Sequence, residues 1–256
     1  MSQLELVNAT VRFGALVALN GVSLQAQGPA KLGLIGPNGA GKTTLLSALT
    51  GFVSLSEGQV LLDGEDITAV DVQGRVKRGV MRSFQTARLL EDENVRTNVL
   101  LGCNPIPGPG SFRQLFGTIG YRRWNKQAQQ RADEIEDLFG ISDIRDARVS
   151  ELPSAQRRFV ELARVLVSQP KILLLDEPAA GLDHGERRQL EDVLHRIADD
   201  YSTLLILVEH DVMVVRNVCE QIFVLAEGSL LAQGPTDQVL SEPAVVDAYF
   251  GGAANA

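Results

Sequence analysis

The chain has 256 residues, 45% of them hydrophobic and 22% charged, with a formal net charge of −8. That balance is globular rather than disordered, and it argues against a general nucleic-acid binder, which needs a basic face to hold phosphate backbones. Only two cysteines occur, Cys103 and Cys219, without metal-ligand spacing; this fits a reducing compartment and argues against a disulfide framework. Met1-Ser2-Gln3-Leu4-Glu5 has neither a basic nor an apolar leader region, so no secretory signal is expected. Apolar runs such as Ile172 to Leu175 and Leu204 to Val208 fall far short of the ~20 residues that span a bilayer. Any membrane role must therefore come through partner subunits.

Along the chain, Leu4 to Val7, Val22 to Gln25 and Lys31 to Ile35 read as short strands, the last running into Gly36. Gln59 to Leu62 reads as another strand, closed by the turn dipeptide Asp63-Gly64. A glycine-rich segment from Gly36 to Thr44 lies between them and leads into a helix reaching Leu49. Beyond Phe84-Gln85 the texture becomes polar and helical to about residue 151, interrupted from Asn104 to Gly120 by Pro105, Pro107, Gly108, Pro109 and Gly110. Arg113, Arg122, Arg123 and Lys126 lie in or just after that interruption, interleaved with Phe112, Phe116, Tyr121 and Trp124, as in a surface loop or a partner-binding surface.

From Ser154, apolar residues at Phe159, Leu162, Ala163, Leu166 and Val167 follow helical spacing, and Pro170 ends the helix. Ile172 to Leu175 is an unbroken apolar run, as expected of a parallel strand buried on both faces. A helix over 186–199 and a buried strand from Thr203 to Val208 follow. Ile222 to Leu225 and Leu230 to Ala232, split by Glu227-Gly228, predict a hairpin. The order of elements implies an open α/β sheet with an N-terminal β portion and an inserted helical portion.

The chemistry-bearing motifs fall on this frame. Gly36-Pro37-Asn38-Gly39-Ala40-Gly41-Lys42-Thr43-Thr44 satisfies the phosphate-loop pattern, between a strand and a helix as its mechanism demands. Glycines let the chain curl so that backbone N–H groups face phosphate oxygens, Lys42 reaches the β and γ phosphates, and the Thr43 hydroxyl ligates Mg²⁺. The strand Ile172 to Leu175 ends in Asp176-Glu177, delivering two carboxylates to the sheet edge where ligands bind in such folds. Asp176 fits the metal role, and Glu177 fits a general base for water. His210 follows the next strand and is placed to contact a γ-phosphate; Gln85, ending a strand before the helical portion, is placed to sense Mg²⁺ and water. Taken alone, either residue is more often structural.

Together these residues resemble the ATPase subunits of ABC transporters over nearly the whole chain. The resemblance makes the phosphate loop a Walker A segment, Leu173 to Glu177 a Walker B segment with its catalytic glutamate, Gln85 the Q-loop, Ala180-Gly181-Leu182-Asp183 the D-loop and His210 the switch histidine. It also makes Phe13 the aromatic residue that stacks on adenine. The implied fold is a single ABC ATPase domain of the P-loop class. Residues 1–85 and 152–256 would form its core with an antiparallel β subdomain, and 86–151 its helical subdomain. The branch most resembled is the branched-chain amino acid importer ATPase, on Phe13-Gly14-Ala15-Leu16-Val17-Ala18-Leu19, on Glu177-Pro178-Ala179-Ala180-Gly181-Leu182 and on Asp247-Ala248-Tyr249-Phe250-Gly251. Urea and amide importers look similar, and lipopolysaccharide exporters less so. The resemblance implies ATP and Mg²⁺ as ligands, transmembrane permease subunits and a second ATPase subunit as partners, and a place on the cytoplasmic membrane face. A binding protein would take part indirectly, and no nucleic acid is implied. The different-class alternatives are an ATP-gated scaffold with little hydrolysis and a soluble ABC protein of translation or DNA repair.

One departure stands out. The family's signature Leu-Ser-Gly-Gly-Gln aligns with Leu152-Pro153-Ser154-Ala155-Gln156. In the family this segment closes over ATP held by the other subunit. Pro153 has neither hydroxyl nor N–H to donate, and Ala155 adds a methyl where close approach is expected. The resemblance thus implies one weakened site if the partner is a different ATPase, and two in a homodimer.

Overall fold

The computed structural model describes residues 2–83, 89–103 and 119–250. Gln85 and the proline- and glycine-rich segment from Asn104 to Thr118 lie outside the described residues. The chain divides into two compact units, one built from residues up to Arg82, Lys171–Ala180 and Leu194 onward, the other from Ser83–Pro170 and Gly181–Val193.

The first unit holds two sheets. In the smaller, strands β1 (Gln3–Phe13), β2 (Leu16–Gln27), β4 (Glu57–Leu62) and β5 (Glu65–Asp66) run antiparallel in the order β2-β1-β4-β5. In β2, Val22, Leu24 and Ala26 are buried while Ser23, Gln25 and Gln27 are exposed, the period-two pattern of a strand with one face on a core. Asp63 and Gly64 take φ of 53° and 80°, the left-handed pair required by a two-residue hairpin turn.

The larger sheet has the order β10-β9-β3-β8-β7-β6, with β3 (Ala30–Ile35), β6 (Val80–Arg82), β7 (Ile172–Asp176), β8 (Leu204–Val208), β9 (Gln221–Ala226) and β10 (Ser229–Pro235). All neighbours are parallel except the β9–β10 hairpin. Every residue of β7 and β8 is buried, as continuous Ile, Leu and Val runs require when both faces are covered. The strand expected to end at Gln85 ends at Arg82. Helix α1 (Lys42–Thr50) follows β3, and α2 (Val72–Lys77) precedes β6.

Buried Arg75 of α2 ties these parts together, donating to the carbonyls of Ala48 and Leu49 at the end of α1 and of Ile67, Thr68 and Val70, at 2.6–3.0 Å. It thereby supplies side-chain donors to carbonyls of the last turn of α1, where helix-end acceptors lack full intrahelical pairing. Burial pushes its guanidinium pKa down from the ordinary value.

The second unit contains α3 (Val95–Leu101), α4 (Ile119–Phe139), α5 (Ser154–Leu166) and the first part of α6 (His184–Tyr201). The apolar face of α5 (Phe159, Val160, Leu162, Ala163, Leu166) is buried, and Phe159 meets Phe139 of α4 with ring centroids 6.2 Å apart. Gly102, just after α3, comes so close to α5 that an added Cβ would sit 1.8 Å from the carbonyl oxygen of Arg164. These contacts draw 152–170 into the helical unit, so it reaches past the boundary at 151 expected from sequence and gains 181–193.

Replacing Arg75 by Leu strips donors from buried carbonyls, each costing about 1–3 kcal/mol when left unsatisfied. The expected outcome is a loss of about 3 kcal/mol or more, read as a lower urea midpoint with an unchanged slope.

Candidate functional site

β3, β8 and β7 lie side by side and parallel, so their carboxyl ends open at one edge. Val208 registers with Leu34 on one side and with Asp176 on the other. The phosphate loop, Asp176-Glu177 and Glu209-His210 therefore leave the sheet at one level.

The loop after β3 is shaped by glycine. Gly39 and Gly41 take φ of 81° and 100°, in the left-handed region that favours glycine. A Cβ on Gly41 would lie 2.7 Å from the carbonyl oxygen of Ala18, so strain and contact both exclude a side chain there. Two remote elements hold the loop. The Glu227-Gly228 hairpin turn docks on it, with the Gly228 N–H donating to Ala40 O at 3.1 Å and Gly228 O accepting from Asn20 N–H at 2.8 Å. The Gly36 N–H donates to the Tyr249 hydroxyl at 2.6 Å, and burial pushes the Tyr249 pKa up. Tyr249 lies in α9 (Pro243–Phe250), which follows the short helices α7 (Val212–Val218) and α8 (Thr236–Val239).

Lys42 is 7% exposed, and its Nζ donates to the carbonyls of Gly36 at 2.6 Å and Pro37 at 3.0 Å. Burial lowers its pKa, opposed by Glu177 and then Asp176. A buried ammonium curled onto neutral carbonyls, at a helix start that Lys42-Thr43-Thr44 leave free of acids, matches an anionic ligand.

Asp176 is 4% exposed, and its Oδ2 accepts from Arg82 at 2.7 Å; Arg82 also donates to the Ser47 hydroxyl at 3.1 Å. Glu177 takes φ of 48°, a conformation uncommon for a non-glycine residue, and its N–H donates to Val208 O at 2.8 Å. Its Oε1 stands 2.7 Å from His210 Nε2. Glu209 is 4% exposed and accepts from the Ala179 N–H at 2.7 Å and the His210 N–H at 3.2 Å. Burial pushes its pKa up, opposed by those two N–H groups.

These loops enclose a cleft of about 550 Å³, lined by Phe13, Leu16, Val17, Ala18, the run Asn38 to Thr44, Glu177, His210 and the Glu227-Gly228 turn. Phe13 and Leu16 are 51% and 65% exposed, an open apolar platform at the mouth of a polar cleft. A second cleft of about 540 Å³, against β1, β2, β9 and β10, holds none of the motif residues.

The profile of the ABC transporter family matches residues 19–180. This chain belongs to that family. It is an ATP-hydrolysing cassette. It is 36% identical over 241 residues to the high-affinity branched-chain amino acid transport ATP-binding protein LivG of Escherichia coli, covering 94% of each chain. It is 34% identical to BraF of Pseudomonas aeruginosa, which carries the same description, over 97% of each. The crystal structure of the ADP conformation of an ATP-binding cassette of an ABC transporter superposes with a TM-score of 0.83 at 31% identity, covering 98% of this chain and 99% of that one.

The cassette's cleft thus brings together every nucleotide-contacting residue expected from sequence, with Glu177 and His210. Asp183 belongs to the second unit, where its Oδ1 accepts from the Gly185 and Glu186 N–H groups and its N–H donates to Glu186 Oε2, a capping box at the start of α6. Pro153 sits at the N-cap of α5 and Ser154 begins the helix; both are exposed. Ala155 is only 6% exposed. Sequence reading missed Arg82, Glu209, Tyr249 and the Glu227-Gly228 turn as parts of the site. Each acts through a long-range contact that no local pattern announces.

Gly41→Ala is expected to weaken ATP binding about tenfold or more, since strain and the clash with Ala18 must be relieved by shifting the loop. Titration with a fluorescent ATP analogue checks this. Gly64→Ala, equally left-handed at φ +80° but with nothing within 4 Å of the added carbon, should leave affinity unchanged.

Proposed function

We propose that this cassette powers an importer of branched-chain or related small amino acids from the cytoplasmic face of a membrane, as one of two ATPase subunits in a head-to-tail dimer. The observation carrying the catalytic part is the Glu177–His210 pair, 2.7 Å apart at the rim of a cleft floored by the phosphate loop. The likeness to LivG and BraF supports the substrate class. No helix among the described residues is long and apolar enough to cross a membrane, so transport requires permease subunits. A substrate-binding protein would feed those permeases.

In this reading ATP lays its adenine on Phe13 and its phosphates along Asn38 to Thr44, with Lys42 leaving its two carbonyls for the β and γ oxygens. Glu177 polarises the attacking water, and His210 holds Glu177 and the γ-phosphate in register. The hard oxygen donors of Thr43 and Asp176, with Gln85, suit Mg²⁺, which when bound would neutralise phosphate charge. The helical unit hands the cycle to the permeases. Glu177→Gln is expected to keep ATP affinity within about threefold while hydrolysis falls ~100-fold or more. Loss of binding in parallel would count against Glu177 as the base.

The signature segment contributes across the dimer. Pro153 removes one donor from a helix N-terminus that would face the partner's ATP, and Ser154 supplies a hydroxyl one position later. With a partner of intact signature, the site on Lys42 and Glu177 turns over normally and the partner's site slowly. In such a heterodimer, Pro153→Ser with Ala155→Gly is expected to raise turnover at the partner's site. Folding should change little, because a serine N-cap contributes about 1 kcal/mol and a helix-interior glycine costs about as much. Unchanged turnover sinks the asymmetry. Crosslinking in native membranes tests the assembly. Permease subunits and a second ATPase should be recovered, whereas copies of this chain alone would contradict the heterodimer.

A further inference from the structure

Glu209 is a buried carboxylate beside the catalytic pair, and the chemistry of ATP binding and hydrolysis gives it no direct task. It is 4% exposed, and both of its oxygens accept backbone N–H groups, from Ala179 at 2.7 Å and from His210 at 3.2 Å. Those two donors belong to different loops. Ala179 lies two residues beyond Glu177 in the segment leaving β7, and His210 follows Glu209 itself in the segment leaving β8.

The neighbouring contacts show what the link fixes. The Glu177 N–H donates to Val208 O at 2.8 Å, and the Ala180 N–H to Glu177 O at 3.2 Å. The backbone around Glu177 is thus tied to β8 on its near side by a main-chain bond and on its far side by the Glu209 side chain. Between the two ties Glu177 holds φ of 48°, an uncommon conformation that persists only where the surroundings over-determine it. Across the gap its Oε1 meets His210 Nε2 at 2.7 Å. Without the Glu209 strut, the Ala179 N–H loses its buried acceptor, and the two loops lose the tie that sits beneath the Glu177–His210 contact.

We propose that Glu209 is a positioning residue for ATP hydrolysis, its buried carboxylate locking the loop of Glu177 to the loop of His210 so that their side chains meet in register. It is not among the residues lining the cleft, and it acts through the pair. A general base displaced by even ~1 Å loses much of its effect, whereas the phosphate loop, framed by Gly228 and Tyr249, keeps its grip on ATP. The proposal rests on the assignment of hydrolysis to Glu177 and His210.

The test is Glu209→Gln in the full chain, with kcat and KM for ATP and the melting temperature measured beside wild type and Glu177→Gln. The amide keeps an acceptor for one N–H and turns an NH₂ group against the other. The expected result is a kcat lowered about tenfold or more, with KM within about threefold and Tm within a few degrees of wild type. A kcat within about twofold of wild type overturns the proposal. So does a parallel loss of kcat, KM and Tm, or a variant that does not fold, since either makes Glu209 a stability residue only. If Glu177→Gln itself hydrolyses ATP normally, the assignment beneath the proposal fails and the proposal falls with it. If Glu177→Gln is inactive while Glu209→Gln is unimpaired, the positioning role alone is lost.

Discussion

Val208 stands in register with two neighbouring strands, opposite Leu34 of β3 and Asp176 of β7. That double pairing sets the height at which three separate loops leave the sheet, because parallel strands in register end together. A one-residue slip of β8 would turn its buried leucines to the opposite faces and displace His210 by roughly 3 Å relative to Glu177. Burial on both faces gives β8 no polar side to tolerate such a slip. The ladder also runs one residue past β7, since the Glu177 N–H still reaches Val208 O. Pro178 disfavours the helical region for the residue before it, which narrows the conformations that meet this constraint, and Glu177 settles at φ of 48°. The position of the Glu177 carboxylate is thus a consequence of sheet register and a proline.

The phosphate loop depends on a different kind of constraint. Its glycines permit the curl but do not fix it, since glycine gains freedom in both left- and right-handed regions. What fixes it comes from far along the chain: the Gly228 N–H on Ala40 O and the Tyr249 hydroxyl under the Gly36 N–H. Gly36 shows how close this docking is, for a Cβ there would lie 2.2 Å from Leu225 O. The β9–β10 hairpin is therefore one wall of the cleft as well as the edge of the sheet.

These two constraints account for how much was legible in the sequence. Gly36 to Thr44 could be read because its chemistry is local. β7 could be read because an unbroken Ile-Leu-Leu-Leu run ending in Asp-Glu fits a doubly covered parallel strand and little else in an α/β chain. The Asp63-Gly64 turn and the Glu227-Gly228 hairpin were legible for the same reason. Arg82, Glu209 and Tyr249 were not, because each is an ordinary residue in its local window and acquires meaning only through a partner brought near by the fold. Polarity changes near 151, whereas the compact helical unit continues through α5 to Pro170.

The charges of the cleft floor are arranged so that ligand binding exchanges partners instead of exposing them. Lys42 rests on two neutral carbonyls and not on a carboxylate, although Glu177 and Asp176 are near enough to oppose the lowering of its pKa. In the proposed reading, giving up carbonyl contacts for phosphate oxygens would replace neutral acceptors by charged ones, which form the stronger hydrogen bonds. Asp176 by contrast is already neutralised by Arg82, both side chains being almost fully buried. An unpaired carboxylate at that depth would cost several kcal/mol. Arg82 therefore lets β7 end in a buried acidic residue at the sheet edge without destabilising the protein. The same guanidinium reaches the Ser47 hydroxyl on α1, so the helix that follows the phosphate loop and the strand that ends in Asp176 are held by one side chain. Shifting either element strains that bridge, and this is how a change at the phosphate loop would be felt at the carboxylates of β7.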